Sequence, residues 1–195
     1  MRVLGISGSL RRGSFNTALL RHVGELFDAR GAEFEIYDGL GDIPAYNEDD
    51  DMDDPPETVG RIREVVREAD AVFFATPEYN SSIPGVLKNA VDWLSRPSLA
   101  QSALRGKPVA VVGASTGVFG AVWGQAELRK VLSATGARVI EGEVALGRAM
   151  DRFGNDGRLN DESLEEEVRE VVDDLLAEAE PADPGEHAAS DQATS

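Results

Sequence analysis

Short, continuous apolar runs alternate along the chain with longer segments in which apolar residues recur at every third or fourth position. Continuous runs are typical of strands that are covered on both faces of a sheet, and the longer spacing predicts amphipathic helices. Their alternation predicts an α/β fold with a parallel sheet and right-handed crossovers. We expect strands at about 3–6, 32–37, 71–75, 107–113 and 138–143, and helices at about 16–29, 58–68, 84–94, 121–135 and 161–178.

The length of 195 residues predicts a single domain over 1–180, with enough chain to bury one sizeable core. From 181 onward the residues are small, polar and acidic, so we expect a disordered acidic tail over 181–195. No run of about 18 apolar residues is present, and the first residues enter a strand at once. We therefore expect no membrane span, no signal peptide and a cytoplasmic protein.

The chain is strongly acidic: 36 acidic side chains oppose 19 basic ones, for a net charge of −17. This balance disfavours nucleic acids and anionic membranes as partners. Only three of the basic residues are lysines, and such a surface resembles that of proteins from salt-loving organisms; an acidic interaction surface is the alternative. The chain has no cysteine and two distant histidines, so we expect no disulfide, no thiol catalysis and no metal site.

The segment between the first strand and the first helix, SGSLRRGSFNT, is rich in hydrogen-bond donors. It offers serine and threonine hydroxyls, the charge of Arg11 and the free N–H groups of the helix start, which suit a monophosphate. It lacks the lysine of a Walker loop and the glycine spacing of a dinucleotide fingerprint. A plain turn in which a serine caps the helix is the alternative.

Two further loops follow buried strands: TPEYNSSIPG at 76–85 and GASTGVFG at 113–120. The carboxyl ends of parallel strands meet at one edge of a sheet, so these loops are expected beside the first loop. Two prolines hold the backbone of the second loop so that its N–H and C=O groups face a planar heterocycle, and Tyr79 would lie near that ring. A rigid turn whose tyrosine packs on its own helix is the alternative.

Three stretches together resemble the NADPH-dependent FMN reductases, a family that includes bacterial quinone and chromate reductases: GSLRRGSFN at 8–16, PEYNSSIPGVLKNAVDWLSR at 77–96 and GASTGVFGAVWGQAELR at 113–129. The resemblance implies a flavodoxin-like three-layer sandwich with a five-stranded parallel sheet in the order 2-1-3-4-5. It also implies FMN as the cofactor, held by three groups of residues. The phosphate would be held by Ser9, Arg11, Ser14, Asn16 and Thr17, the isoalloxazine ring by Pro77, Glu78, Tyr79 and Asn80, and the site would be closed by Ser115, Thr116 and Gly117.

The resemblance also implies the reaction. NADPH or NADH would pass a hydride to the flavin and leave, and a quinone or similar small acceptor would then bind in the same place, which gives ping-pong kinetics. The flavin N5 carries this chemistry, so no catalytic side chain is expected. The side chain of Glu78 is expected to cap the loop or contact another subunit, with proton donation as the alternative. A flavodoxin-like electron carrier and a non-catalytic FMN-binding module stay open as other functions.

Two features concern partners. Arg12 and Arg148 are candidates for the phosphate of the nicotinamide nucleotide, and plain surface arginines are the alternative. Leu87, Val91, Trp93 and Leu94 on the third helix suggest a homodimer. Tetrameric relatives join an arginine at the position of Arg96 to a tyrosine and a glutamate across subunits; here Glu127 stands in place of that tyrosine, so a tetramer is in doubt.

Overall fold

A parallel sheet lies at the centre of the molecule, which is described by a computed structural model for residues 1–51, 54–98, 100–154 and 156–180. The strands are β1 (Arg2–Ser7), β2 (Glu33–Tyr37), β3 (Ala71–Thr76), β4 (Pro108–Ala114), β5 (Arg138–Val139) and β6 (Ala145–Leu146). Their order in the sheet is β2-β1-β3-β4-β5, which confirms the predicted order, and β6 also pairs with β4. All of these pairs are parallel, as predicted.

Helices cover both faces of the sheet, and the core has two halves. The helices are α1 (Phe15–Ala29), α2 (Glu57–Glu68), α3 (Gly85–Leu94), α4 (Val122–Ala134) and α5 (Glu162–Ala179). One half of the core contains apolar side chains of α1 and α5, and the other contains those of α2, α3 and α4. Phe73 and Phe74 are neighbours on β3, yet each belongs to a different half, which explains why this strand is apolar throughout. The three-layer sandwich is therefore confirmed.

The prediction of one continuous fifth strand over 138–143 is wrong, because only Arg138–Val139 of that range form a strand, and pairing with β4 resumes beyond it at β6, which makes the fifth strand a split one. Arg129 of α4 reaches into the break and donates hydrogen bonds to the carbonyls of Val111 (2.8 Å), Ile140 (2.7 Å) and Gly142. Burial lowers the pKa of its guanidinium, which nevertheless stays charged. Side-chain donors thus take the place of a strand partner between the two short strands.

The prediction that α3 offers Leu87, Val91, Trp93 and Leu94 as a dimer surface is also wrong. Each of these side chains is at most 1% exposed and lies in the core. The loop after β2 covers them, and the indole N–H of Trp93 donates to the carbonyl of Pro44 (2.9 Å). The helical spacing of these residues therefore reflects packing within the chain.

A buried ion pair also holds the loop after β2. Arg63, which is 5% exposed, donates to the carbonyl of Trp93 through two nitrogens and to the carboxylate of Asp51 (2.9 Å). The ring of Tyr46 packs edge-on against Trp93, and the guanidinium of Arg96 lies 5.5 Å from the centre of the Tyr46 ring. This acidic loop is thus fixed to Trp93 of α3 directly through Pro44 and Tyr46, and indirectly through Asp51 and Arg63 of α2.

In the part of the chain that the structure describes, no helix combines the length and apolar character that crossing a bilayer requires. The acidic tail predicted for 181–195 lies outside the described residues.

Candidate cofactor-binding cleft

The loops after β1, β3 and β4 enclose a cleft of about 310 Å³ at the carboxyl edge of the sheet. Nine of the twelve predicted site residues line this cleft, and Thr17, Asn80 and Gly117 are each the next residue after one that does. The sequence therefore located the cleft, although contact with FMN stays a prediction. The lining consists of Ser9, Arg11, Ser14, Phe15, Asn16, Pro77, Glu78, Tyr79, Ala114, Ser115, Thr116 and Met150.

The first loop presents hydrogen-bond donors at the start of α1. Ser14 is the N-cap, and its hydroxyl oxygen accepts from the N–H of Thr17 (3.3 Å), which leaves the hydroxyl hydrogen free to donate. Among the described residues, the N–H groups of Phe15 and Asn16 have no acceptor, as expected for a first helical turn. Together with the helix dipole, these donors form a site for an anion.

Arg11 adds a positive charge to the same end of the cleft. Its guanidinium lies 5.4 Å from the centre of the Phe15 ring, and it forms no ion pair with any residue that the structure describes. Its backbone N–H points to the hydroxyl of Ser9 (3.4 Å), which shapes the loop. In a chain of net charge −17, a free guanidinium next to unpaired N–H groups suits a phosphate.

The side chains of Asn16 and Thr17 are occupied inside the protein. The Asn16 amide donates to the carbonyl of Ala114 and accepts from the N–H of Ala114, both at 2.9 Å, and it is 3% exposed. The hydroxyl of Thr17 is 2.9 Å from that of Ser7. These side chains fasten α1 to β4 and β1, so the backbone N–H of Asn16 is the group of that residue that a phosphate could reach. Contact of Asn16 and Thr17 with the FMN phosphate stays a prediction.

Glu78, in the loop after β3, caps α4. One oxygen of its carboxylate accepts from the N–H groups of Trp123 (3.0 Å) and Gly124 (3.1 Å) in the first turn of that helix. The N-cap residue itself, Ala121, provides no side-chain hydrogen bond. A negative charge at a helix start is stabilised by the dipole, so the geometry favours the capping role over proton donation.

The tip of the same loop is a tight turn. Asn80 and Ser81 have φ values of 53° and 59°, and the flanking residues Tyr79 and Ser82 exchange two backbone hydrogen bonds of 3.0 and 3.1 Å. Positive φ at both central residues is characteristic of a type I′ turn. Tyr79 is 52% exposed and lines the cleft, and its position near a flavin ring stays a prediction.

The third loop, which follows β4, is supported by the segment after β6. The N–H groups of Arg148 and Ala149 donate to the carbonyls of Gly117 (2.8 Å) and Ser115 (3.0 Å). This pairing brings Met150 to the cleft, a position that the sequence did not predict. Phe15 and Ala114, also missed, could have been found as the residues where α1 begins and β4 ends.

The lining fits FMN in its chemistry. One end of the cleft has the donors and the positive charge that a phosphate needs, and the walls include Phe15, Tyr79 and Met150, which can contact a planar ring. Among the described residues, no group of three or more His, Asp or Glu side chains could hold a metal ion. Except for Met1, the exposed large apolar side chains of the described chain belong to the loops and helix ends near this edge: Leu10, Tyr79, Val118, Phe119, Trp123 and Met150.

Known proteins share this sequence and fold. Residues 1–151 match the family model described as NADPH-dependent FMN reductase. An NAD(P)H-dependent FMN reductase of Pseudomonas aeruginosa is 44% identical over 177 residues, which is 90% of this chain and 91% of the relative. A quinone reductase of Pseudomonas putida is 43% identical over 159 residues, or 81% of this chain and 84% of the relative.

A solved structure agrees with these matches. The flavoenzyme NAD(P)H:(acceptor) oxidoreductase FerB from Paracoccus denitrificans superposes with a TM-score of 0.83 at 36% identity, covering 91% of this chain and 96% of that one. The family predicted from the three loops, its flavodoxin-like fold and its FMN cofactor are confirmed. The chain belongs to the NADPH-dependent FMN reductase family.

Proposed function

We propose that this protein is an FMN-dependent NAD(P)H oxidoreductase whose acceptor is a quinone. The observation that carries the proposal is the geometry of this cleft: unpaired N–H groups of α1 and the Arg11 guanidinium lie at one end, and the rigid loop after β3 forms a wall. When bound, FMN supplies the redox chemistry, because it takes hydride from a reduced nicotinamide and passes electrons to an acceptor. The cleft is open, so both reactants can enter in turn.

The protein's own residues bind and orient. Ser14, Arg11 and the first turn of α1 would hold the phosphate, and the backbone of Pro77 and Glu78 would contact the ring edge. Since Glu78 is fixed to α4, those backbone groups are placed before the cofactor arrives, which lowers the cost of ordering them. Ser115 and Thr116 would close the opposite side.

Anaerobic mixing of the FMN-loaded protein with NADPH or NADH tests this function. Rapid loss of the oxidised flavin absorbance, restored by a quinone, is the expected result. Flavin that neither nucleotide reduces would instead indicate an electron carrier or a non-catalytic FMN-binding module. Because the relative from Pseudomonas putida is named a quinone reductase, a quinone is expected to reoxidise the flavin faster than free FMN or an azo dye does.

The quaternary structure that we propose is a homodimer formed at the rim of the cleft. Phe119 and Trp123 are 63% and 49% exposed, and their rings pack edge to face with centres 5.2 Å apart, which leaves an apolar surface for a second copy.

The residues expected in a tetramer contact have partners within the chain. Arg96 lies against the ring of Tyr46, and Glu127 forms an ion pair with Lys130, which supports a dimer over a tetramer. Sedimentation of the Trp123→Glu variant as a monomer, with the wild type a dimer, is expected; a monomeric wild type would refute the proposal.

We also propose that 1–180 is one domain, because both halves of the core pack against the same sheet.

We propose in addition that the protein works in a salty cytoplasm. The support is the net charge of −17, since self-repulsion of an acidic surface is screened by salt. The urea midpoint of unfolding is expected to rise between about 0.1 M and about 2 M KCl. A midpoint that is insensitive to salt would favour an acidic interaction surface instead.

A further inference from the structure

The backbone of Arg148 is held in an unfavourable conformation beside the cleft. Its φ and ψ are 51° and 44°, in the left-handed region that L-residues with a side chain rarely adopt. Its N–H donates to the carbonyl of Gly117 (2.8 Å), and its own carbonyl accepts from Asp151 (2.8 Å). Glycine would adopt this conformation without strain, so the arginine at this position carries a backbone cost that a glycine would avoid.

The charge of Arg148 is free. The side chain is exposed, and among the described residues no carboxylate pairs with it. The next two arginines along the chain are different, because Arg152 pairs with Asp161 and Arg158 pairs with Glu25. In a chain of net charge −17, an anionic substrate that approaches this edge is repelled by the surface as a whole and needs local positive charge.

The position of Arg148 separates it from the proposed FMN phosphate site. Arg11 and the first turn of α1 belong to the loop after β1, whereas Arg148 is hydrogen-bonded to the loop after β4. The phosphates of a second nucleotide are repelled by the FMN phosphate, so they require a different cation. Neither Arg12 nor Arg148 lines the cleft itself. Arg12 neighbours Arg11 at the proposed FMN phosphate site, whereas Arg148 stands two residues before Met150, which lines the cleft on the side of the loop after β4. Arg148 is therefore the better placed of the two candidates for a second phosphate.

We propose that Arg148 binds a phosphate of the nicotinamide nucleotide and so determines how tightly the reductant binds. The proposal rests on the proposed function, because it presumes that NADPH or NADH enters the cleft. The guanidinium would donate hydrogen bonds to a phosphate oxygen of the nucleotide. That oxygen belongs either to the 2′-phosphate, which only NADPH has, or to the diphosphate, which NADPH and NADH both contain.

Binding of nucleotide fragments to the FMN-loaded protein tests the role of Arg148 without turnover. Adenosine 2′,5′-bisphosphate and ADP serve as calorimetric probes, and Arg148→Gln is expected to weaken binding by about tenfold. If the variant loses affinity for the bisphosphate alone, the partner of Arg148 is the 2′-phosphate. If it loses affinity for both probes, the partner is the diphosphate. Equal affinity of the wild type and the variant for both probes would overturn the proposal.

Three further variants separate binding from folding. Arg148→Gly relieves the left-handed strain, so it should unfold at the same or a higher urea concentration while losing the same affinity. Arg148→Lys should recover part of the affinity. Arg105→Gln removes an exposed arginine before β4, at the opposite edge of the sheet, and should change neither the affinity nor the stability. A loss of affinity in Arg105→Gln equal to that in Arg148→Gln would refute the proposal.

Failure of this proposal differs from failure of the proposed function. If NADPH and NADH leave the flavin of the wild type oxidised, the proposed function fails. If the wild type is reduced normally and Arg148→Gln has unchanged probe affinity and unchanged KM for both nucleotides, only the role of Arg148 is rejected.

Discussion

Two loops that border the same cleft differ in whether their polar groups have hydrogen-bond partners within the protein. In the loop after β1, the N–H groups of Phe15 and Asn16 and the guanidinium of Arg11 have no protein acceptor among the described residues. In the loop after β3, the carboxylate of Glu78 holds two N–H groups of α4, and Tyr79 and Ser82 bond to each other. The first loop leaves the Arg11 guanidinium and the N–H groups at the start of α1 unpaired, and the loop after β3 pairs its polar groups within the protein.

The difference indicates how the protein treats the two ends of FMN. Unpaired donors are stabilised by a ligand that carries charge, so the first loop should contribute mainly to affinity. A loop that is paired internally keeps its shape without a ligand, so the second should contribute mainly to orientation and to the stability of the fold. Substitutions in the two loops should therefore affect different measurements.

The largest effect is expected from Glu78→Ala. Removal of the carboxylate leaves the N–H groups of Trp123 and Gly124 without their acceptor, which should lower the free energy of unfolding by about 1.5–3 kcal/mol. Urea unfolding of the FMN-free protein measures this loss. The matched control is Glu127→Ala on α4, the helix that Glu78 caps, because this substitution breaks only an exposed ion pair with Lys130. Equal losses for the two variants would mean that Glu78 is no more than a surface carboxylate.

Arg11→Gln should have a smaller effect, and on affinity alone. Loss of the charge should weaken FMN binding by about tenfold, with the free energy of unfolding of the FMN-free protein unchanged. Fluorescence titration with FMN measures the affinity, which should also become less sensitive to salt than in the wild type. Arg21→Gln, an exposed arginine farther along α1, is the control. An Arg11→Gln variant that keeps wild-type affinity would place the phosphate elsewhere.

The smallest effect is expected from Ser81→Gly. Glycine favours the left-handed backbone at the second central position of a type I′ turn, so this variant should be more stable by up to about 1 kcal/mol. FMN affinity should not change, since the shape of the turn is preserved. Ser133→Gly is the control, because Ser133 is an exposed serine whose backbone is helical rather than left-handed, so its replacement by glycine should lower the stability. Destabilisation by Ser81→Gly would show that the serine side chain supports the loop.

The sequence predicted those parts of the molecule that depend on local pattern. Apolar periodicity located β1, β3 and β4, and Gly, Ser and Pro content located the loops that follow them. The contacts that fasten those loops join residues far apart in the chain, such as Asn16 with Ala114 and Glu78 with Trp123, which are separated by 98 and 45 positions. No local pattern reports which backbone group a polar side chain will meet.

The two errors have the same cause. The apolar spacing of α3 is identical whether the helix packs inside its own chain or against another subunit, so spacing could not exclude burial beneath the loop after β2. The break between β5 and β6 depends on Arg129, whose partners become neighbours only after folding. Met150 was missed for the same reason, because it reaches the cleft through hydrogen bonds between two loops.

The split fifth strand also affects how the protein behaves at high concentration. A long, regular edge strand exposes a row of unpaired amides that another chain can extend into an aggregate. Here one edge consists of two strands of two residues each, with Arg129 bonded to carbonyls between them, and the opposite edge, β2, carries the exposed carboxylates of Glu33 and Glu35. Both margins of the sheet therefore resist intermolecular strand pairing, one through its irregular backbone and the other through its negative charge.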